Sequence, residues 1–215
     1  MEAPVKLEVN VVSPDMVKSV LEAGPAKLLT SEHFPYHNWE GHIVPTSMKA
    51  VELGVKMGLS GDDRRLLEIS ALLHDISLPD GRASHEERSA QFAQYLLQDL
   101  GESEDNIQKV MQMIHGTKGQ MVDGVYVYEP SDDPLVRAIR DADQSNVGDK
   151  TYPQLNENLR REMGVSDKEQ WLRSQIQYLT KHRFQTRQAQ TLWGAQKQIN
   201  LEGLLRKITP APGYR

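Results

Sequence analysis

Cysteine is absent from this 215-residue chain. That excludes disulfides, thiol nucleophiles and thiolate metal sites in one step. Any metal must be held by imidazole and carboxylate, donors that suit Fe, Mn, Zn, Ni or Co, and Mg where oxygen dominates. Long apolar runs are missing too: none approaches the ~18 residues of a membrane span. The opening MEAPVKLEVNVVSPD has neither the basic start nor the apolar core of a secretory signal. No membrane association and a cytoplasmic location are therefore expected. Positive charge is not in excess, with a net charge of -5 and a pI near 5.8. A duplex phosphate backbone finds no broad electrostatic footprint here, whereas a local basic pocket for a small phosphorylated ligand stays open. There is no G-x-S-x-G nucleophile motif. Internal repeats, low-complexity segments and long linkers are lacking as well. A single domain over 1–215 is expected, within the ~250 residues one core supports.

What is present is helical periodicity. SPDMVKSVLEAG offers Ser13 as N-cap, Pro14 at the first helical position and Gly24 as a stop. PTSMKAVELGVKMG sets Val51, Val55 and Leu59 on one face and closes near Gly58. Asp62 and Asp63 open a helix through Leu66, Ile69 and Leu73 into His74. SHEERSAQFAQYLLQDLG begins with a capping box, Ser84 and Glu87, and ends at Gly101. SEDNIQKVMQMIHG delivers His115, and DPLVRAIRDAD places Asp133 before Pro134. SDKEQWLRSQIQYLTKH repeats the box with Ser166 and Glu169, and a last helix is expected from Phe184 to Leu205. In MVDGVYVYEP, Asp123-Gly124 between Val and Tyr residues signals a two-residue hairpin, a small β flap near 121–128. The loop from Thr30 to Pro45 and the tail from Thr209 are the least regular parts. The expected class is all-α, with a core over about 30–150 and C-terminal helices over about 166–207 packed on it.

The apolar run EISALLHDISLPD ends in adjacent His74 and Asp75, which are unfavourable to bury without partners. Taken alone, the pair is also readable as a helix end bonded to nearby backbone. His42, His74, His85 and His115 each fall near a predicted helix end, and Asp143 at another. Four imidazoles and two carboxylates can hold two divalent ions with open positions for water and substrate.

The order H…HD…H…H…D resembles the HD-domain superfamily of metal-dependent phosphohydrolases. The resemblance covers about His37 to Asp143, and LLHDI followed by DADQSN is its most specific part. It implies a helical bundle with His74 and Asp75 at the centre of the site and Asp75 bridging two ions. His42 matches the first ligand and Asp143 the last. HEERSA with His85 and MIHGTKG with His115 look like the extra histidines of two-metal members, notably those that hydrolyse dinucleoside polyphosphates. The implied activity is hydrolysis of a small phosphate ester or nucleotide by metal-activated water. The implied partner is a small phosphorylated substrate rather than duplex nucleic acid. Two other readings share the ligand set: a di-iron oxygenase of the same fold, and a non-catalytic nucleotide sensor.

YHNWEGH is similar to the Tyr-His-Asn-x-x-His motif of cyclic-nucleotide phosphodiesterases, which implies His37 as proton donor to the leaving group and His42 as ligand. The gap is one residue longer here, and Gly41 is read as the extra residue. Many members carry Lys shortly after the His-Asp pair, where this chain has Leu78 and Pro79. Arg82, Lys118, Arg183 and Arg187 are the candidates for supplying that charge, each otherwise a solvated surface cation. Met111, Met113, Trp171, Tyr178 and Trp193 are read as packing residues, and His33 and His182 as surface histidines. HRFQT is similar to a C-terminal segment of some bacterial HD proteins that approaches the cleft. Asp141 is read as a carboxylate that orients a ligating histidine.

Overall fold

Residues 11–208 are described in a computed structural model, so the expectation for the tail from Thr209 lies outside them. In chain order they form α1 (Pro14–Ala23), α2 (Val44–Met57), α3 (Gly61–Leu73), α4 (His85–Asp99), α5 (Glu104–Gly116), the strands β1 (Gly119–Val122) and β2 (Val125–Tyr128), α6 (Pro134–Asp143), α7 (Tyr152–Glu162), α8 (Lys168–Lys181) and α9 (Arg187–Ile208). The all-α class with one small hairpin is what the structure has.

The hub is α3. Ser60 caps it by accepting from the Asp63 N–H, and Asp62 and Asp63 sit in its first turn beside the positive end of the helix dipole. From Leu66 onward only Glu68 stays partly exposed, and Leu66, Leu67, Ile69, Leu72 and Leu73 are buried. A helix apolar on most of its faces belongs in the interior, and α3 is packed by α1, α2, α4, α5 and α6. Each such side chain contributes about 1.5–3 kcal/mol by burial. The chain that leaves this helix therefore carries His74 and Asp75 into the middle of the bundle.

Local details depart from expectation at several caps. Ser84 does not form the capping box: its φ of 54° is left-handed and its hydroxyl caps nothing, while Glu87 is paired with Lys118 instead. The cap of α8 is Asp167 rather than Ser166, because the Asp167 carboxylate reaches the Gln170 N–H. On α2 the core face is Ala50, Leu53 and Gly54, and Val55 is exposed. The close approach of α3 decides this, since a Cβ at Gly54 would lie 3.0 Å from Arg64 Cγ. The last helix starts at Arg187, after a buried Phe184. An element not anticipated, α7, fills 152–162.

The hairpin forms where Asp123-Gly124 predicts it. Both residues have positive φ, 49° and 78°, as a two-residue primed turn requires. The Asp123 carbonyl accepts from Gln177 Nε2 and Lys181 Nζ, so the hairpin rests against α8. Helix α9 packs along the turn at 144–148, α8, α2 and α6, and Gly148 permits this approach, because a Cβ there would lie 2.5 Å from Trp193 Cβ. Among the described residues, no helix is long and apolar enough to cross a membrane.

Candidate metal centre

The segment read as irregular turns out to be built. Asn38 Oδ1 accepts from the Gly41 N–H at 2.7 Å, and residues Trp39–Ile43 form one π-helical turn ahead of α2. In that turn the Asn38 carbonyl accepts from both the His42 and Ile43 N–H. A π turn accommodates one residue more than an α turn, which absorbs the extra residue between His37 and His42. Gly41 is the residue that fits, since a Cβ there would lie 2.9 Å from the Asn38 amide.

His42, brought in by this turn, meets His74, Asp75 and Asp143. His42 Nε2 lies 3.2 Å from His74 Nε2, 3.4 Å from Asp75 Oδ2 and 3.3 Å from Asp143 Oδ1. His74 Nε2 lies 3.3 Å from Asp75 Oδ2 and 3.5 Å from Asp143 Oδ1. Donors that share one ion at ~2.0–2.2 Å stand ~3.0–3.5 Å apart, so these edges fit a metal shell. The chemistry fits as well. His74 gives its Nδ1–H to the Ala71 carbonyl at 2.8 Å, leaving a lone pair on Nε2 of the neutral ring, aimed at the other donors. Burial alone would lower His42 and His74 and raise Asp75 and Asp143. Their mutual pairing overrides it, holding the imidazoles above and the carboxylates below their ordinary values. The meeting point thus demands positive charge, which protons or a cation can supply.

Asp75 faces two ways. Its Oδ2 belongs to the four-donor set, and its Oδ1 lies 3.0 Å from His85 Nε2. His85 in turn gives Nδ1–H to the Arg82 carbonyl at 2.8 Å, so its Nε2 is also a free donor for a metal. His115 does not join this group: it is exposed on the last turn of α5.

His37 stands beside the cluster, its ring 5.1 Å from that of His42, and a donor atom from each of His37, His42 and Asp75 falls within one metal-sized group. Glu162, from the unanticipated α7, holds it. Glu162 Oε1 accepts His37 Nδ1–H at 2.5 Å, Oε2 accepts the N–H groups of Tyr36 and His37 at 2.7 and 2.9 Å, and Arg82 pairs with the same carboxylate. Burial lowers the His37 pKa and Glu162 reverses only part of that. Burial would raise Glu162, but His37 and the two N–H donors bring it down to about 2. A carboxylate depressed from 4.5 stabilises the fold above that value and loses the effect as pH falls through about 2. In metal-free protein, Glu162→Gln is expected to flatten this acid-side slope, by roughly 1–2 kcal/mol after solvent screening. Denaturant titrations stepped across that interval measure it, and unchanged slopes would remove Glu162 from the account.

The cluster opens into a cleft of about 680 Å³ lined by residues that include Tyr36, His37, Arg82, Lys118, Asn146 and Trp171. Asn146 Oδ1 is buried there without a partner. Trp171 and Tyr178, read as core, are half-buried walls of this cleft, whereas Trp193 and Met113 are core. Of the four cations considered for phosphate, Arg82 and Lys118 line the cleft. Arg183 lines a different cavity and Arg187 lines neither. His182 is buried rather than superficial. Asp141 orients no histidine: it accepts from the Gln185 and Thr186 N–H groups and the Thr186 hydroxyl, all at 2.7 Å, and so fixes the residues before α9, where Thr186 Oγ1 accepts from the Ala189 N–H. Burial lifts its pKa to about 6.

Residues 39–146, 108 of the 215 (146 − 39 + 1), match the family model described as HD domain. No curated protein and no solved structure matches the chain.

Proposed function

The chain belongs to the HD-domain family, and from that premise we propose that it is a phosphohydrolase acting on a small phosphate ester, a nucleotide in particular. The observation that carries this reading is the four-donor set of His42, His74, Asp75 and Asp143 opening into a cleft with Arg82 and Lys118 on its walls. Bound there, a divalent ion lowers the pKa of its water towards neutrality and neutralises phosphoryl oxygens. The two-way Asp75, with His85 at its second oxygen, supports two ions rather than one.

The chain's own residues supply the rest. His37 moves the proton. Its Nδ1–H is committed to Glu162, so Nε2 is the exchangeable atom; it takes up a proton from solvent in the open cleft and gives it to the leaving oxygen, while the proton of the attacking water is released to solvent. Arg82 and Lys118 balance phosphate charge, although each also faces a carboxylate, Glu162 and Glu87. Tyr36, Tyr126, Trp171 and Tyr178 supply flat faces suited to a base, and the unpartnered Asn146 amide oxygen offers it a polar contact.

The test is phosphate release from a nucleotide panel with Mn, Mg, Ni or Fe, set beside oxygen consumption under reducing conditions. Metal-dependent phosphate release that a chelator abolishes is the expected result. Oxygen uptake without phosphate release would instead make the protein an oxygenase, and nucleotide binding without turnover a sensor.

A further inference from the structure

A second cavity, of about 660 Å³, lies beside the hairpin, walled by β2, α6 and the connection between α8 and α9. It shares only Tyr126, Gln144 and Tyr178 with the metal cleft. Arg140, Lys181 and Arg183 line it, and among the described residues no carboxylate lies within ion-pair distance of any of them. Arg140 is the unusual member. It is only 4% exposed, its Nε donates to the Gly116 carbonyl at 2.5 Å, its Nη1 reaches Gln185 at a marginal 3.5 Å, and its Nη2 has no protein acceptor. Lys181 and Arg183 donate only to backbone carbonyls. Two further polar atoms in the same walls are buried and unpartnered, the Tyr128 hydroxyl and His182 Nδ1.

The acidic side chains in these walls do not answer the cations. Asp132 is taken by Arg137, Asp141 by the start of α9, and Glu129 is exposed. The Tyr128 ring covers one face of the Arg140 guanidinium, 4.8 Å from Cζ to the ring centroid, but no counter-ion meets it, and a buried cation without one keeps an unmet demand for negative charge. Three cations in the walls of one cavity, with an unpartnered hydroxyl and imidazole nitrogen on residues of the same walls, match a dianion with several acceptor oxygens. Planar guanidinium groups bind phosphate in paired fashion. The volume falls within the range of small-molecule sites and leaves room for an organic group beyond a phosphate.

We propose that this cavity is a binding site for a small phosphomonoester, separate from the metal centre. Burial, with Lys197 and Arg183 nearby, pushes His182 down to about 3, so its ring meets the ligand as a neutral hydrogen-bonding group. The inference does not depend on the metal centre or its chemistry.

Calorimetric titration of the chelator-treated full chain with AMP, adenosine and inorganic phosphate tests it. AMP is expected to bind, with adenosine at least ten times weaker. The Lys181→Gln/Arg183→Gln double variant, whose side chains are exposed and tolerant of change, should weaken AMP binding by roughly tenfold or more. Arg82→Gln, which removes a cation from the metal cleft, should leave unchanged the AMP-binding component that the double variant loses. Absence of AMP binding, equal affinity for adenosine, or sensitivity to Arg82→Gln but not to the double variant would each overturn the proposal. Binding of inorganic phosphate with exclusion of AMP would overturn the assignment of a phosphomonoester.

Discussion

Asp75→Ala and His74→Ala are each expected to lose bound metal and turnover together while keeping the helical content of the parent. His74 and Asp75 contribute three of the donor atoms around the candidate ion positions, Nε2 and both carboxylate oxygens. Removing an outer partner of a ligand already lowers metal affinity or activity by ~10–100-fold, so loss of a ligand itself should exceed that. The fold should tolerate the change because α3 is held by Leu66, Leu67, Ile69, Leu72 and Leu73, all upstream of the pair. Asp75→Asn adds a control of the same shape, which keeps the volume and removes the charge that His42, His74 and His85 face. Metal analysis of protein purified without chelators, beside circular dichroism and phosphate release, decides it. Full metal stoichiometry and turnover in either alanine variant would dismantle the site.

The parts of this structure that were legible beforehand are those in which side chains meet the core or satisfy a strict turn rule. The apolar run into His74 announced α3, and Asp123-Gly124 announced the hairpin, because each position there has one physical solution. Helix α7 was not legible for the opposite reason. Tyr152, Asn156, Leu159 and Met163 recur at helical spacing and all line the cleft, Tyr152 alone also reaching the core, so the repeating face mixes amide, phenol and aliphatic groups and gives no apolar stripe. Glu162 went unnoticed with it. Its partners, His37 and Arg82, are 125 and 80 residues away in sequence, and nothing local marks such a carboxylate. Trp171 and Tyr178 were misread because a large aromatic at helical spacing looks the same whether it faces a core or a cleft. The π turn at Trp39–Ile43 shows a third case: the five-residue gap was visible, but its consequence depended on whether the chain could widen a turn, which Asn38 and Gly41 together allow.

That widened turn is why His42→Ala and His37→Ala are expected to fail in different ways. His42 is 4% exposed and within 3.4 Å of donor atoms on His74, Asp75 and Asp143. His37 is held from outside by Glu162 and touches His42 edge-on. Removing a ligand weakens metal affinity, whereas removing a proton-transfer group slows the bond-breaking step and leaves the metal in place. His42→Ala should therefore lose metal. His37→Ala should keep it, with kcat lower by ~10²–10⁴-fold on a nucleotide, the usual range for an acid–base group. The deficit should shrink on a p-nitrophenyl ester, because p-nitrophenolate departs with little protonation. Helical content, metal content and kcat, measured for both variants on both substrates, separate the two roles. Metal loss in His37→Ala with retention in His42→Ala would exchange them, whereas metal loss in both variants would mean that the His37, His42 and Asp75 group also holds an ion.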